Sequence, residues 1–107
     1  MAIIGCKDRG TERFLAGERV REFEGVAKTA AKALTRLQAA MVLADLRSPP
    51  SNRFEALRGD RIGQYSIRIN GQYRICFKWL PRASVPVGMD LLFVSGDATD
   101  VEIVDYH

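Results

Sequence analysis

Alternating apolar and polar residues mark residues 65–79 as a β-hairpin with one buried face. The alternation is interrupted once, at Asn70-Gly71, the dipeptide best suited to a two-residue type I′ turn because both positions need positive φ. The sequence therefore predicts a hairpin with an apolar back and a cationic front. The apolar back contains Tyr65, Ile67, Ile69, Tyr73, Ile75, Phe77 and Trp79, and the cationic front carries Arg68, Arg74 and Lys78.

A second pattern, with apolar residues three and four positions apart, predicts a helix over about residues 25–45. Pro49 and Pro50 follow it and cannot lie inside a helix, so the chain continues as an extended connector. The apolar stripe contains Val26, Ala30, Ala33, Leu34, Leu37 and Met41.

Shorter patterns complete the chain and give an α+β domain with N-terminal helices packed on one face of an antiparallel sheet. We predict one domain over residues 1–107. The shorter elements are an edge strand over residues 2–5, a helix capped by Thr11 and reaching Leu15, a polar turn over residues 58–61, a strand over residues 89–94, a turn over residues 95–100 and a last strand from Val101.

Composition narrows the class of protein. Hydrophobic residues make up 47% of the 107 residues, and no apolar run approaches the roughly 18 residues of a membrane span. We therefore expect a cytoplasmic protein with no membrane partner. Cys6 and Cys76 are far apart and the chain has one histidine, so we expect reduced thiols, no metal site and no cofactor.

Positive charge is concentrated around the hairpin. Residues 53–82 contain seven basic and two acidic residues, whereas residues 83–107 contain five acids and neither lysine nor arginine. Such a surface suits phosphate groups. A solvated sheet face with no partner explains the same charges equally well.

Four short motifs give the chain a resemblance to a known family. They are Leu57-Arg58-Gly59-Asp60-Arg61, Tyr65-Ser66-Ile67-Arg68-Ile69-Asn70, Tyr73-Arg74-Ile75-Cys76-Phe77 and the terminal Asp105-Tyr106-His107. From about Leu34 to the end, the chain resembles the HigB-type toxins of the RelE/ParE toxin–antitoxin superfamily. The resemblance implies a microbial ribonuclease-like fold, with helices packed on a curved antiparallel sheet.

The same resemblance implies a toxin of a type II toxin–antitoxin module that binds the ribosome at the 16S rRNA decoding site and cuts mRNA. A HigA-like helix-turn-helix antitoxin would inhibit it and contact the operator DNA. Two other functions remain open: a non-catalytic toxin that binds DNA gyrase, as in the ParE branch, and a degenerate relative that only binds its antitoxin. An acid/base set around Arg74 is what a nuclease requires and a gyrase poison does not.

Metal-independent RNA cleavage needs a base for the 2′-hydroxyl, an acid for the leaving 5′-oxygen and cations for the phosphorane. By resemblance, Arg74 holds the scissile phosphate and His107 donates the proton, since its ordinary pKa is near neutrality. Tyr106 stacks on a base or orients the phosphate, and Asp105 belongs to the same terminal motif. Glu55 stands where some relatives carry a histidine, and is the candidate base.

Further basic residues on or near the hairpin would bind RNA phosphates: Arg58, Arg61, Arg68 and Lys78. Each candidate also has a structural alternative. Arg74 could pair with Asp105, Glu55 could pair with Arg58, and His107 could be a frayed chain end. The segment over residues 81–98 is longer than in typical relatives, which would alter ribosome or antitoxin contacts.

Overall fold

The computed structural model describes residues 2–105 and has two α-helices and a four-stranded antiparallel sheet. The α+β class predicted from the sequence is confirmed. Within the described residues, no helix has the length and apolar character needed to cross a membrane. The elements are α1 (Arg9–Leu15), α2 (Ala27–Ala39), β1 (Glu55–Ala56), β2 (Tyr65–Arg68), β3 (Tyr73–Pro81) and β4 (Gly96–Asp105).

Short 3₁₀ helices connect these elements and help to position the sheet edges. They span Arg21–Val26, Leu43–Arg47, Pro50–Asn52, Gly59–Arg61 and Leu91–Phe93. The predicted polar turn at residues 58–61 is one of them. The candidate site residues Tyr106 and His107 lie outside the described residues.

The core lies between α2 and one face of the sheet, and the strands are ordered β1-β2-β3-β4. Ile67, Ile75 and Ile103 are directly opposed on three neighbouring strands. They belong to one buried cluster with the apolar stripe of α2, which contributes Ala30, Ala33, Leu34 and Leu37. The predicted apolar back of the hairpin is therefore the core face.

The hairpin connection differs from the predicted two-residue type I′ turn. Arg68 lies opposite Arg74, so residues 70–72 form a three-residue loop, and neither Asn70 nor Gly71 has positive φ. The Asn70 Oδ1 atom accepts hydrogen bonds from the backbone N–H groups of Gln72 (2.9 Å) and Tyr73 (2.7 Å). A two-residue turn would have paired Arg74 with an apolar residue of β2. Directly opposed residues share a face of the sheet, so that register would have mixed apolar and cationic residues on one face.

The long helix is shorter than predicted, since α2 begins at Ala27 and ends at Ala39. Ala40 is extended, with ψ 131°. The Asp45 carboxylate accepts hydrogen bonds from the backbone N–H groups of Met41 (2.9 Å) and Val42 (3.2 Å), which offers them an alternative to continued helix. Met41 is therefore 58% exposed, although it fits the predicted stripe.

Two predictions for residues 89–100 are wrong. The expected strand over residues 89–94 contains a 3₁₀ helix, which starts where the Asp90 carboxylate accepts from the Leu92 N–H at 3.0 Å. The expected turn over residues 95–100 belongs to β4. A register shift opposite residues 76–78 accommodates Asp100, whose φ of 51° is typical of a bulge.

The N-terminal segment covers the outer edge of β4 instead of forming a regular strand. Isolated parallel bridges join Ile3 to Ala98 and Cys6 to Val101. Helix α1 is capped by Asp8 rather than by Thr11, as its carboxylate accepts from the Thr11 N–H at 3.1 Å. The buried Thr11 hydroxyl accepts from the Ile103 N–H at 3.0 Å. The outer edge of β4 is therefore hydrogen-bonded to the N-terminal segment.

Candidate active site

The face of the sheet opposite α2 carries the candidate residues Glu55, Arg68, Arg74 and Lys78, and we call it the polar face. Strand alternation places one row of directly opposed residues there, and a second row beside it. The first row is Glu55, Ser66, Cys76 and Glu102, and the second is Arg68, Arg74 and Val104.

Arg74 is held rigidly on this face. Its Nε atom donates to the Ser66 Oγ at 2.9 Å, and its Nη2 atom donates to the Arg53 carbonyl at 2.7 Å. The same Nη2 atom lies 3.7 Å from the Glu55 Oε1, and only 14% of the Arg74 side chain is exposed. A guanidinium fixed in this way is pre-organised, because little rotamer entropy remains to be lost on binding.

The Arg53 carbonyl is positioned by a buried asparagine. The Asn52 Nδ2 atom donates to the carbonyl oxygens of Leu46 (3.2 Å) and Ser48 (3.3 Å), and its Oδ1 accepts from the Arg36 Nη1 at 3.2 Å. Arg53 follows with φ 45° and leads the chain into β1. The connector before β1 is therefore fixed from both the helix side and the sheet side.

Arg68 lies directly opposite Arg74 across the β2–β3 ladder. Like charges directly opposed in a sheet are destabilising, so an anion bound between them would be favourable. Glu55 lies next to this pair on the edge strand, with 53% of its side chain exposed. The polar face thus brings together two arginines and an accessible carboxylate.

The other predicted phosphate-binding residues surround this centre. Arg61 contacts the Glu102 carboxylate at 3.0 Å, and Lys7 contacts the same carboxylate at 3.4 Å. Lys78 lies 3.4 Å from an Asp100 oxygen. Arg58 is exposed and precedes the 3₁₀ helix Gly59–Arg61. Arg61 and Lys78 therefore have acidic neighbours that reduce their local positive charge.

The sequence predicted that Asp105 belongs to the same catalytic site as Arg74. The structure places the two residues apart. Asp105 lies opposite Tyr73, and alternation puts this pair on the face shared with Ile75 and Ile103. Its carboxylate accepts from the Gln72 Nε2 at 3.1 Å. The structure therefore directs Arg74 and Asp105 to opposite faces of the sheet.

Ser66 and Cys76 are buried on the polar face, and sequence reasoning did not select Ser66. The role of Ser66 depends on the hairpin register, which places Ser66 diagonally across from Arg74. That register could not be read from the hydrophobic pattern alone. Both cysteines are free thiols, as predicted. Burial is the main cause that raises the pKa of the Cys76 thiol and of the Cys6 thiol. Within residues 2–105, no three His, Cys, Asp or Glu side chains form a group that could hold a metal ion.

Comparison with known proteins identifies the family. Residues 6–107 match the family described as the RelE-like toxin of the type II toxin–antitoxin system HigB. Toxin HigB-1 of Vibrio cholerae is 35% identical over 86 residues, which cover 78% of this chain and 90% of that protein. An uncharacterized protein of Haemophilus influenzae is 42% identical over 52 residues, covering 49% of this chain and 52% of that protein. The chain therefore belongs to the HigB-like family of type II toxins, whose partner is an antitoxin.

Proposed function

We propose that this toxin is a metal-independent, ribosome-dependent mRNA endonuclease that inhibits translation in the bacterial cytoplasm. The proposal rests mainly on the Arg74 guanidinium, which is fixed beside the Glu55 carboxylate and opposite Arg68 on an accessible sheet face. A binding toxin that acts only through protein contacts has no need for a half-buried arginine pre-organised beside an exposed acid.

Arg74 and Arg68 would hold the scissile phosphate and stabilise charge that develops on the phosphorane. Pre-organised donors of this kind are effective because they need no reorganisation during the reaction. Arginine suits the task since its planar guanidinium can bind two phosphate oxygens at once. Neighbouring phosphates would be bound by Arg58, Arg61 and Lys78. To do so, Arg61 and Lys78 would release the carboxylates that they now contact.

We assign the two proton transfers to Glu55 and to the terminal motif. Glu55 accepts the proton of the 2′-hydroxyl as the 2′-oxygen attacks phosphorus. The bond from phosphorus to the 5′-oxygen then breaks, and His107 donates a proton to that oxygen. The products are a 2′,3′-cyclic phosphate and a 5′-hydroxyl. Tyr106 stacks on a base or orients the phosphate, and Asp105, which contacts Gln72, would hold the terminal motif in place.

The proposed partners are the ribosome, mRNA and a helix-turn-helix antitoxin that contacts operator DNA. Ribosome dependence fits the ion pairs of the polar face, because Glu102 and Asp100 offset much of the charge that would attract free RNA. The message would have to be presented in a fixed geometry, and the decoding site provides one.

The test is induced expression in a bacterium that lacks the antitoxin, with growth followed and transcript 5′ ends mapped. We expect new cuts at in-frame positions of translated messages. Arg74→Ala and Glu55→Gln should each remove most cuts, by about 100-fold for a single transition-state contact. The matched control is Lys32→Ala, which removes an exposed cation on α2, away from the polar face.

Three outcomes would contradict the proposal. Growth arrest without cuts would indicate a protein target such as gyrase. Cutting that survives Arg74→Ala would show that the chemistry lies elsewhere. Neither arrest nor cuts would mean that the protein only binds its antitoxin.

A further inference from the structure

A second group of charges lies on the polar face, beside the Arg74 centre. The Glu102 carboxylate contacts two cations, with its Oε1 3.0 Å from the Arg61 Nη1 and its Oε2 3.4 Å from the Lys7 Nζ. Only 13% of the Glu102 side chain is exposed, whereas Arg61 is half-buried and Lys7 is exposed. A largely buried carboxylate therefore connects two cations that reach solvent.

Three separate parts of the chain bring these groups together. Glu102 lies on β4 between Val101 and Ile103, which face the core, so alternation directs its side chain to the polar face. The Lys7 N–H donates to the Val101 carbonyl at 2.9 Å, which fixes Lys7 at the outer edge of β4. Arg61 comes from the connection between β1 and β2. The N-terminal segment thus adds a cation to the polar face that sequence reasoning did not select.

Strand register sets the distance between this group and the Arg74 centre. Glu102 lies opposite Cys76, and Cys76 is two residues from Arg74 on the same face of β3. Two residues of a strand span about 7 Å. Successive phosphates of a single RNA strand are separated by a similar distance. A strand with one phosphate at Arg74 can therefore place a neighbouring phosphate at Glu102.

The Cys76 thiol lies among these charges and shows which sign predominates. Burial is the largest effect and raises the pKa of this thiol, and the Glu102 charge raises it further. The charges of Arg61, Arg74 and Lys7 act in the opposite direction and lower this pKa. Three cations against one acid leave an excess of positive charge at this part of the polar face, which favours an anion.

We propose that Lys7 and Arg61 form a second phosphate subsite for the RNA strand, and that Glu102 occupies this subsite until RNA binds. A carboxylate and a phosphate offer oxygen atoms to cationic donors in the same way. The RNA phosphate displaces the carboxylate, which turns towards solvent. Glu102 therefore competes with RNA and lowers the affinity of the toxin for a free strand. The inference rests on the proposed function for RNA as the ligand.

The test measures binding of a short single-stranded RNA with 2′-O-methyl groups to the purified full chain, by fluorescence anisotropy. This strand lacks the attacking hydroxyl, so the assay reports binding without cutting. Glu102→Gln should strengthen binding about tenfold, because it removes a competing negative charge at contact distance. Glutamine keeps the shape of the side chain and can still accept a hydrogen bond from Arg61, so the fold is kept.

Lys7→Ala tests the subsite from the other side. It should weaken binding about fivefold and lower the slope of log affinity against log salt concentration by about 0.7, the value for one phosphate contact to a single strand. With Lys7→Ala in place, the gain from Glu102→Gln should fall below about threefold, because both substitutions act through the same bound phosphate. A structural role of the ion pair alone would change neither the salt slope nor this coupling.

Each substitution has a matched control. Lys32→Ala removes an exposed lysine of α2, and Glu22→Gln neutralises an exposed glutamate of the 3₁₀ helix that directly precedes α2. Both should leave RNA affinity unchanged. The inference would be overturned by an equal gain from Glu22→Gln and Glu102→Gln, by unchanged affinity in Glu102→Gln, or by an unchanged salt slope in Lys7→Ala.

Inorganic phosphate offers the same chemistry as the RNA backbone and is tested separately. The backbone amide NMR signals of Lys7 and Glu102 should shift when the 2′-O-methyl RNA is added. Inorganic phosphate at the same concentration should shift them much less, because it lacks the neighbouring contact at Arg74. Shifts with inorganic phosphate but not with RNA would overturn RNA as the ligand.

Transcript mapping separates this inference from the proposed function. Lys7→Ala should reduce cutting through weaker binding, whereas Arg74→Ala removes it. A wild-type chain that binds the RNA through Lys7 but cuts no message would retain the subsite and refute the nuclease. Normal cutting by Lys7→Ala, together with unchanged RNA affinity, would refute the subsite and retain the nuclease.

Discussion

Replacing Asn52 by alanine tests the link between the connector and the active site. The Asn52 side chain is fully buried and forms three hydrogen bonds, two donated to carbonyl oxygens and one accepted from Arg36. Alanine leaves both carbonyls and the guanidinium without this partner. The backbone of the connector, including the Arg53 carbonyl that holds Arg74, then loses its anchor.

The magnitude follows from the number of lost bonds. A hydrogen bond contributes about 1 kcal/mol net, and buried groups left without a partner cost more. We expect the free energy of unfolding to fall by about 2–4 kcal/mol, a large part of the roughly 5–15 kcal/mol that keeps a domain folded. For a domain of this size the melting temperature should fall by about 8–16 °C.

Urea unfolding followed by tryptophan fluorescence measures this change, since Trp79 is the single tryptophan and is buried. The midpoint should shift while the denaturant slope stays constant. Ser51→Ala, at the exposed neighbouring position, is the control and should change stability by less than about 0.5 kcal/mol. A loss below about 1 kcal/mol for Asn52→Ala would refute the claim that this side chain holds the connector.

Three further predictions concern other parts of the molecule. Arg74→Lys should retain the fold but lower cutting by about 100-fold in transcript mapping, because an ammonium cannot reproduce the geometry of the guanidinium; near-normal cutting would contradict this role. Gly96→Ala should destabilise the protein by about 1–3 kcal/mol in urea unfolding, since its Cβ would lie 2.5 Å from the Trp79 Nε1; an unchanged midpoint would argue against this packing. Burial raises the pKa of both thiols and so lowers the fraction of each that is a thiolate below pH 9. The fully buried Cys76 should be alkylated by iodoacetamide much later than the partly exposed Cys6, as measured by mass spectrometry. Equal rates would show that Cys76 is accessible.

The parts of the fold that the sequence predicted correctly are those with local periodicity. The two faces of the hairpin follow from alternation within β2 and β3, and the stripe of α2 follows from steps of three and four. The errors occur where side chains compete for backbone groups. Asn70 shapes a three-residue loop and Asp45 diverts the chain after α2. Neither effect changes the hydrophobic pattern, so pattern reasoning could not detect it.

Tertiary contacts account for the remaining differences. The polar residues at the start of β4 resemble a turn, but Gly96 and Ala98 are buried in a strand paired with β3. The arginine–carboxylate centre was partly predictable, since Arg74 and Glu55 were both selected from the sequence. The support from Ser66 and the Arg53 carbonyl depends on strand register and on a left-handed backbone position, which require the folded chain.

The covered outer edge of β4 has a consequence for how the toxin is made. The Thr11 hydroxyl and the Ile103 N–H that it contacts are 92 positions apart in the chain. At about 5–20 residues per second, translation needs several seconds to produce the second partner after the first. Until then the outer edge of β3 has no strand beside it, and α1 has no sheet edge to pack on.

We expect folding force on the nascent chain, measured with a translational arrest peptide, to appear only after β4 has emerged. A newly started toxin molecule should therefore remain inactive until its last strand has been synthesised, and force at shorter lengths would show that the N-terminal half folds alone.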